Sequence, residues 1–220
     1  LLVIPSSSAE EDGITNNAPE TFPVGVTTVI WTVTDASGNT ATASQTVTVS
    51  DDEDPTITAP EAVTVSADAG ACEATDVTLG DPETADNCGV ESTVNDAPAT
   101  FPIGETTVTW TVIDIYGNSS TATQLVTVAD EEVPTITAPT DVNTTTDAGS
   151  CEATVDLGIP ETTDNCGVAS TENDAPATFS VGETTVTWTV TDNYGNTATA
   201  TQLVTVTDEE VPTITAPADV

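Results

Sequence analysis

The sequence predicts an all-β protein of tandem antiparallel β-sandwich repeats, on three observations: a fixed internal period, apolar residues alternating with threonine, and turn chemistry at recurring places. The period is read directly. Pro55-Thr56-Ile57-Thr58-Ala59-Pro60 returns at Pro134 to Pro139 and at Pro212 to Pro217, and Trp31, Trp110 and Trp188 follow one another at steps of 79 and 78 residues. Complete copies run over 51–129 and 130–207, with the C-terminal part of one over 1–50 and the start of another over 208–220. The chain begins in mid-repeat and without Met, and so reads as a window on a longer protein whose export signal and anchor lie elsewhere.

Within a copy the elements follow in a constant order. An acidic linker leads into Pro-Thr-Ile-Thr-Ala-Pro; two cysteines come next, then Thr100-Phe101-Pro102-Ile103-Gly104, matched by Thr21 to Gly25 and Thr178 to Gly182. From Thr106 to Val112 the residues alternate, placing Val108, Trp110 and Val112 on one face and threonines on the other, which is a half-buried strand. Asp114-Ile115-Tyr116-Gly117-Asn118 follows as a hairpin turn, because glycine accepts the left-handed backbone such turns need; Asp35 to Asn39 and Asp192 to Asn196 match it. Thr121 to Val128 alternates again as the last strand. No segment carries a helical period, and several short strands in about 79 residues make a sandwich of immunoglobulin-like type.

Charge narrows the possible partners. The chain holds 37 acidic side chains and no Lys, Arg or His, a formal charge of −37. No internal ion pair can form, so every carboxylate must be solvated, hydrogen-bonded, protonated or matched by a cation from outside. Phosphate neutralisation requires Lys or Arg, which excludes nucleic acid, and an anionic membrane surface repels the chain. No stretch reaches the roughly 18 apolar residues of a membrane span, so no direct membrane insertion is expected of this segment. High charge with few aromatics also marks disorder, but here the carboxylates are dispersed and the strand-length segments alternate cleanly, which favours a folded chain.

Cys72 and Cys88 fall in one complete copy, Cys151 and Cys166 in the next. A domain this small buries only about 60 per cent of its unfolded surface, and a bond closing a loop of about 15 residues adds about 3 kcal/mol. Pairing inside each copy is expected, because equivalent cysteines of neighbouring copies stand about a domain length apart, beyond the roughly 7 Å reach of a disulfide; buried free thiols are the alternative. Such bonds imply an oxidising compartment.

The sharpest expectation of a site is calcium at the joints between repeats. Asp51-Asp52-Glu53-Asp54, Asp130-Glu131-Glu132 and Asp208-Glu209-Glu210 are dense sets of hard oxygen ligands. In a sandwich of this type the loop between the last two strands returns to the end where the chain enters, so Asp114 should face 51–54 and Asp192 should face 130–132. The competing reading is that these acids solvate an exposed linker while each hairpin Asp caps its own turn. Asp86-Asn87 and Asp164-Asn165, before the second cysteine of each pair, read as turn residues that can add ligands. Trp31, Trp110 and Trp188 read as core residues by their inward phase, not as sugar platforms. The sequons at Asn118 and Asn143 are coincidences expected of a Thr- and Ser-rich chain. With no His, Lys or Arg and no P-loop, enzymatic chemistry has little to work with, and the acids recur as linker and turn residues in place of one cleft.

Taken together, the acidic linker, Pro-Thr-Ile-Thr-Ala-Pro, Ala-Gly-x-Cys, Asp-Asn-Cys-Gly, Phe-Pro-Ile-Gly, Thr-Val-Thr-Trp-Thr-Val and Asp-x-Tyr-Gly-Asn resemble the HYR, or hyalin repeat, family over nearly the whole chain. The resemblance implies immunoglobulin-like modules in tandem, extracellular or at the cell surface, adhesive and without a catalytic role. Ala59 and Ala138 stand where the family usually has a cysteine, and Ala122 and Ala200 where its partner lies, so that bond is absent as a unit. The cysteine pairs present are similar to an additional bond of bacterial members. Long acidic arrays of this kind are most similar to giant bacterial surface adhesins of the gliding-motility type. The function so implied is the shaft of a secreted or cell-surface filamentous adhesin. Its partners would be neighbouring repeats, other copies of the filament, or a surface polysaccharide or protein. Spacer modules of a larger secreted enzyme and a calcium-dependent, self-associating matrix protein are the alternatives.

Overall fold

The computed structural model describes residues 13–217, and all regular structure among them is strand. Contacts divide the chain into two compact units. One holds residues up to Thr58 with Glu83–Val94 and Thr111–Thr121; the other holds Ala59–Pro82, Asn95–Trp110 and the residues from Ala122 on.

The first repeat contributes β1 (Ile14–Asn16), β2 (Gly25–Thr34) and β3 (Thr40–Val49), an antiparallel sheet in the order β1-β2-β3. The second contributes β4 (Thr56–Thr58), β5 (Val63–Ser66), β6 (Glu73–Thr75), β7 (Glu83–Ala85), β8 (Val90–Asn95), β9 (Thr100–Pro102), β10 (Gly104–Asp114) and β11 (Ser119–Ala129). The third repeats these as β12 (Thr135–Thr137), β13 (Val142–Thr145), β14 (Glu152–Ala153), β15 (Glu161–Thr163), β16 (Val168–Asn173), β17 (Phe179–Ser180), β18 (Gly182–Asp192) and β19 (Thr197–Thr207). In the third repeat a four-stranded sheet of order β13-β19-β18-β16 is accompanied by two small sheets, β12-β15 and β14-β17, and the second repeat has the same set.

The long hairpin is the organising element. β18 and β19 pair from Thr191↔Thr197 to Gly182↔Val206, so the alternation in both strands presents one apolar face. That face supplies Val186, Trp188, Val204 and Val206, which cluster with Ala153 and Phe179, and Ile136, Val142, Val155 and Leu157 pack around them. Trp110 and Trp188 are buried, whereas Trp31 is half-buried. One departure from the purely antiparallel expectation occurs in each complete repeat: β5 runs parallel to β11, Val63 opposite Val126, and β13 parallel to β19, Val142 opposite Val204. The second and last strands of a repeat are linked only through everything between them, so no tight turn dictates their direction, and the short strand covers an edge that would otherwise be open.

A buried polar bolt fastens each sandwich. Gln202, 0% exposed, accepts from Trp188 Nε1 at 3.1 Å and donates to the carbonyls of Thr140 and Leu157 at 2.8 and 3.0 Å. Gln124 does the same with Trp110, Glu61 and Leu79. Inward-facing glutamine is admissible here because every one of these groups is satisfied.

Candidate metal centres in the linkers

The hairpin aspartates are positioned first. Asp114 ends β10 and is fully buried; its Oδ1 accepts the N–H groups of Tyr116 and Asn118, both at 2.8 Å, and its Oδ2 accepts Asn118 Nδ2 at 2.7 Å. Gly117, at φ 96°, supplies the left-handed step that closes the turn. Asp192 is held in the same way by Tyr194 and Asn196. Burial pushes both carboxyls up, yet the combined hydrogen bonds from Asn118, Tyr116 and Gly117, and from Asn196, Tyr194 and Gly195, outweigh it and leave both below the ordinary Asp value.

Each turn then catches a linker. Asn118 Nδ2 donates to the Asp51 carbonyl and Asn196 Nδ2 to the Asp130 carbonyl, both at 3.1 Å. Asp86 Oδ1 caps the N–H groups of Cys88 and Gly89 at 2.8 Å, and Asp164 Oδ1 caps that of Cys166 at 2.8 Å, which is the turn role the sequence indicates. Their second oxygens have another situation. One ligand atom each from Asp51, Asp86 and Asp114 lie within 4.8 Å of one another, and so do those of Asp130, Asp164 and Cys166. Asp51 Oδ2, Asp86 Oδ2, Asp130 Oδ2, Asp164 Oδ2 and Asn165 Oδ1 are buried with no hydrogen-bond partner among the described residues. Asp130 is only 8% exposed. A carboxylate oxygen withdrawn from water without a partner is strongly unfavourable, and this chain has no Lys or Arg to relieve it. Converging hard oxygens of this kind suit calcium or magnesium.

The remaining expected ligands go elsewhere. Asp52, Glu53, Asp54, Glu131, Glu132, Asp208, Glu209 and Glu210 are exposed. Glu53 accepts from Asn87 Nδ2 at 2.8 Å, Glu131 from Ser66 Oγ at 2.7 Å, Glu132 from the Gly70 N–H at 2.8 Å and Glu210 from the Gly149 N–H at 2.8 Å. Asp192 makes the same turn bonds as Asp114 but does not join the cluster of its repeat, where Cys166 occupies the third place beside Asp130 and Asp164. Asp86 and Asp164 enter the clusters as more than turn residues; the signal for them was the recurrence of Asp-Asn-Cys-Gly at the linker's end of each repeat.

The cysteine pairing corrects the expectation of bonds inside each copy. Cys72 is bonded to Cys166, 94 residues away, with Cα atoms 5.2 Å apart, while Cys88 and Cys151 are free. Distance ruled out only equivalent cysteines of neighbouring copies. The bonded pair are non-equivalent: the Ala-Gly-x-Cys loop of the second repeat reaches the Asp-Asn-Cys-Gly loop of the third, where Asn165 Nδ2 also donates to the Ala71 carbonyl at 2.9 Å. Beside Cys88, the adjoining Asp51 carboxylate, burial, and the charges of Asp86 and Asp114 push the thiol up to about 11.

Sandwiches in tandem, with acidic clusters at their linkers and a covalent bridge between two of them, define a tandem β-sandwich repeat protein. The chain belongs to the HYR domain family, whose sequence profile matches residues 6–49, 50–128 and 129–206. It is 34% identical to hyalin of Lytechinus variegatus over 98% of this chain and 43% of that protein, and 36% identical to hyalin of Strongylocentrotus purpuratus over 93% of this chain and 18% of that protein. The chain thus spans less than half of either relative. Among solved structures it is similar to Drosophila N-cadherin EC1-4, with a TM-score of 0.39 and 10% identity over 84% of this chain and 58% of that one. Protocadherin Gamma B2 cadherin domains 3-6 give a TM-score of 0.39 and 12% identity over 90% and 67%. The HYR membership and the hyalin relatives place the chain outside the cell or on its surface.

Proposed function

We propose that these repeats form the shaft of a secreted or cell-surface filamentous adhesin, with calcium bound in each linker. Asp51, Asp86 and Asp114 would hold one ion, and Asp130 and Asp164 another. The observation that carries this reading is Asp130, nine-tenths buried, with an oxygen that no donor reaches and a second unpartnered carboxylate oxygen beside it. A divalent cation satisfies both at once and ties the linker to the repeat that follows, which stiffens the joint. Reach follows from repetition, since length grows with each module added. Neighbouring repeats are the immediate partners; other copies of the filament, or a surface polysaccharide or protein, would be the distant ones. The narrower reading of a giant bacterial adhesin of the gliding-motility type is supported by acidic composition and repeat style alone.

Calcium titrated calorimetrically into the chelator-stripped chain should bind and raise its thermal midpoint. Asp130→Asn combined with Asp164→Asn should abolish one binding event and leave the one at Asp51. Identical melting in calcium and in chelator would sink the proposal. Calcium-driven oligomers in sedimentation would instead favour the self-associating matrix protein.

A further inference from the structure

The second and third repeats present the same two cysteine loops, and only one loop of each kind is used. Asp68 to Cys72 and Asp147 to Cys151 are the same turn. Asp68 and Asp147 receive, at their carbonyls, the N–H of Ala71 and of Ser150, each at 2.9 Å, and Gly70 and Gly149 adopt φ of 75° and 72°. In both, the glycine N–H is clipped at 2.8 Å by a glutamate of the linker that follows, Glu132 or Glu210. The Asp-Asn-Cys-Gly loops also correspond, with Cys88 N–H on Asp86 and Cys166 N–H on Asp164, both at 2.8 Å. Within one molecule, then, a loop of the first kind is seen bonded to a loop of the second kind through Cys72 and Cys166, while an exposed Cys151 and a half-buried Cys88 remain as the unused halves.

We propose that Cys151 is the donor half of a covalent clasp whose partner is the Asp-Asn-Cys-Gly cysteine of a further repeat of this kind placed after residue 207, and that Cys88 is the acceptor half for a repeat placed before it. The offset of the observed bond, 94 residues, carries both partners outside residues 1–220. The surface that Cys151 offers is therefore an interface for another HYR repeat, and the bonds run from each repeat to the next and never within one. The chemistry is thiol–disulfide exchange with a small-molecule disulfide such as oxidised glutathione. One thiolate attacks its S–S bond and releases one glutathione thiol. The second cysteine then attacks the mixed disulfide and releases the other, so two protons and two electrons leave the protein for the oxidant. Extracellular placement permits such bonds to persist.

The test compares the 220-residue chain with an extended chain in which residues 130–220 are repeated after Thr207, the appended copy carrying the exposed changes Thr145→Ser and Ser170→Ala so that its two cysteine peptides differ in mass from those of the first copy, both chains being refolded with oxidised and reduced glutathione. Cleavage after glutamate puts the four cysteines on separate peptides, since Glu61, Glu73, Glu83, Glu91, Glu132, Glu152, Glu161 and Glu172 bracket them. In the 220-residue chain Cys88 and Cys151 should be alkylated and Cys72 joined to Cys166. In the extended chain alkylation of Cys151 should fall at least tenfold, with a new linked peptide joining it to the second copy of Cys166. Cys151 linked to Cys166 of its own copy, Cys72 linked to Cys88, or Cys151 equally alkylated in both chains would each overturn the proposal. Cys72→Ser in the 220-residue chain, which leaves every repeat intact, supplies a second reading: Cys166 should become alkylatable without taking Cys151 as a substitute partner, and a new Cys151–Cys166 bond would count against the proposal.

Discussion

The linkers at 51–54 and 130–133 are built from nearly the same residues yet are secured differently. At the first, the Asn87 amide turns to Glu53, Asp114 completes the acidic cluster, and Cys88 is a thiol pushed up to about 11. At the second, the equivalent Asn165 amide turns to the Ala71 carbonyl, Glu132 clips Gly70, and Cys166 is bonded to Cys72. An acidic cluster can therefore be assembled by its own repeat alone, or locked by the repeat before it. The lock belongs to the Ala-Gly-x-Cys loop, not to the linker.

The largest expected effect breaks that lock. Reduction, or Cys72→Ser, removes a cross-link spanning 94 residues, which the chain-entropy model values at up to about 4.7 kcal/mol. In denaturant melts the second and third repeats should lose stability on reduction, and the first repeat should not respond; unchanged melting of the whole chain would show that the two linkers are alike after all. A smaller effect separates the two asparagines. Asn165→Ala removes a half-buried bond to the Ala71 carbonyl and should cost about 1 kcal/mol, whereas Asn87→Ala removes an exposed bond to Glu53 and should cost less than about 0.5 kcal/mol. Equal losses in urea titration would erase the distinction.

The smallest effect concerns acid. Asp114 and Asp192 have depressed folded-state values, so their stabilisation is complete above the ordinary Asp pKa of about 3.9 and is lost as pH falls through those lower values. Acidification also relieves repulsion among the other carboxylates, which acts in the opposite direction. The difference between parent and variant isolates the turn: Asp192→Asn should lose less stability than the parent between about pH 4 and pH 2. Parallel pH profiles would mean that the turn carboxyl contributes nothing.

Much of the sandwich was legible because its determinants are local. Val186, Trp188, Val204 and Val206 lie two residues apart in strands that a five-residue turn joins, so alternation and turn chemistry fix both register and inward face. The approach of Asp114 to Asp51 followed from topology alone. What escaped depends on non-local partners. Gln124 and Gln202 share the inward phase of Val126 and Val204, but nothing local announces that the carbonyls of loops 45 and about 63 residues away will satisfy them. The parallel edge strands carry no signal of direction. For the cysteines, spacing compared equivalent positions of neighbouring repeats, whereas the bond joins non-equivalent loops brought together only once one repeat follows another.

The bridge from Cys72 to Cys166 also sets how far the chain can be drawn out. Pulled from its ends, the chain routes tension through the two sulfurs, and the residues between them stay slack. Roughly 310 to 340 Å of contour is withheld until the bond is reduced. With a clasp at every joint, the shortest covalent route across a module runs only from Cys151 to Cys166, roughly 50 Å, against roughly 260 to 280 Å for a module of 78 residues unravelled without one. Such a tether can lose its folded modules under load and still keep nearly its working length.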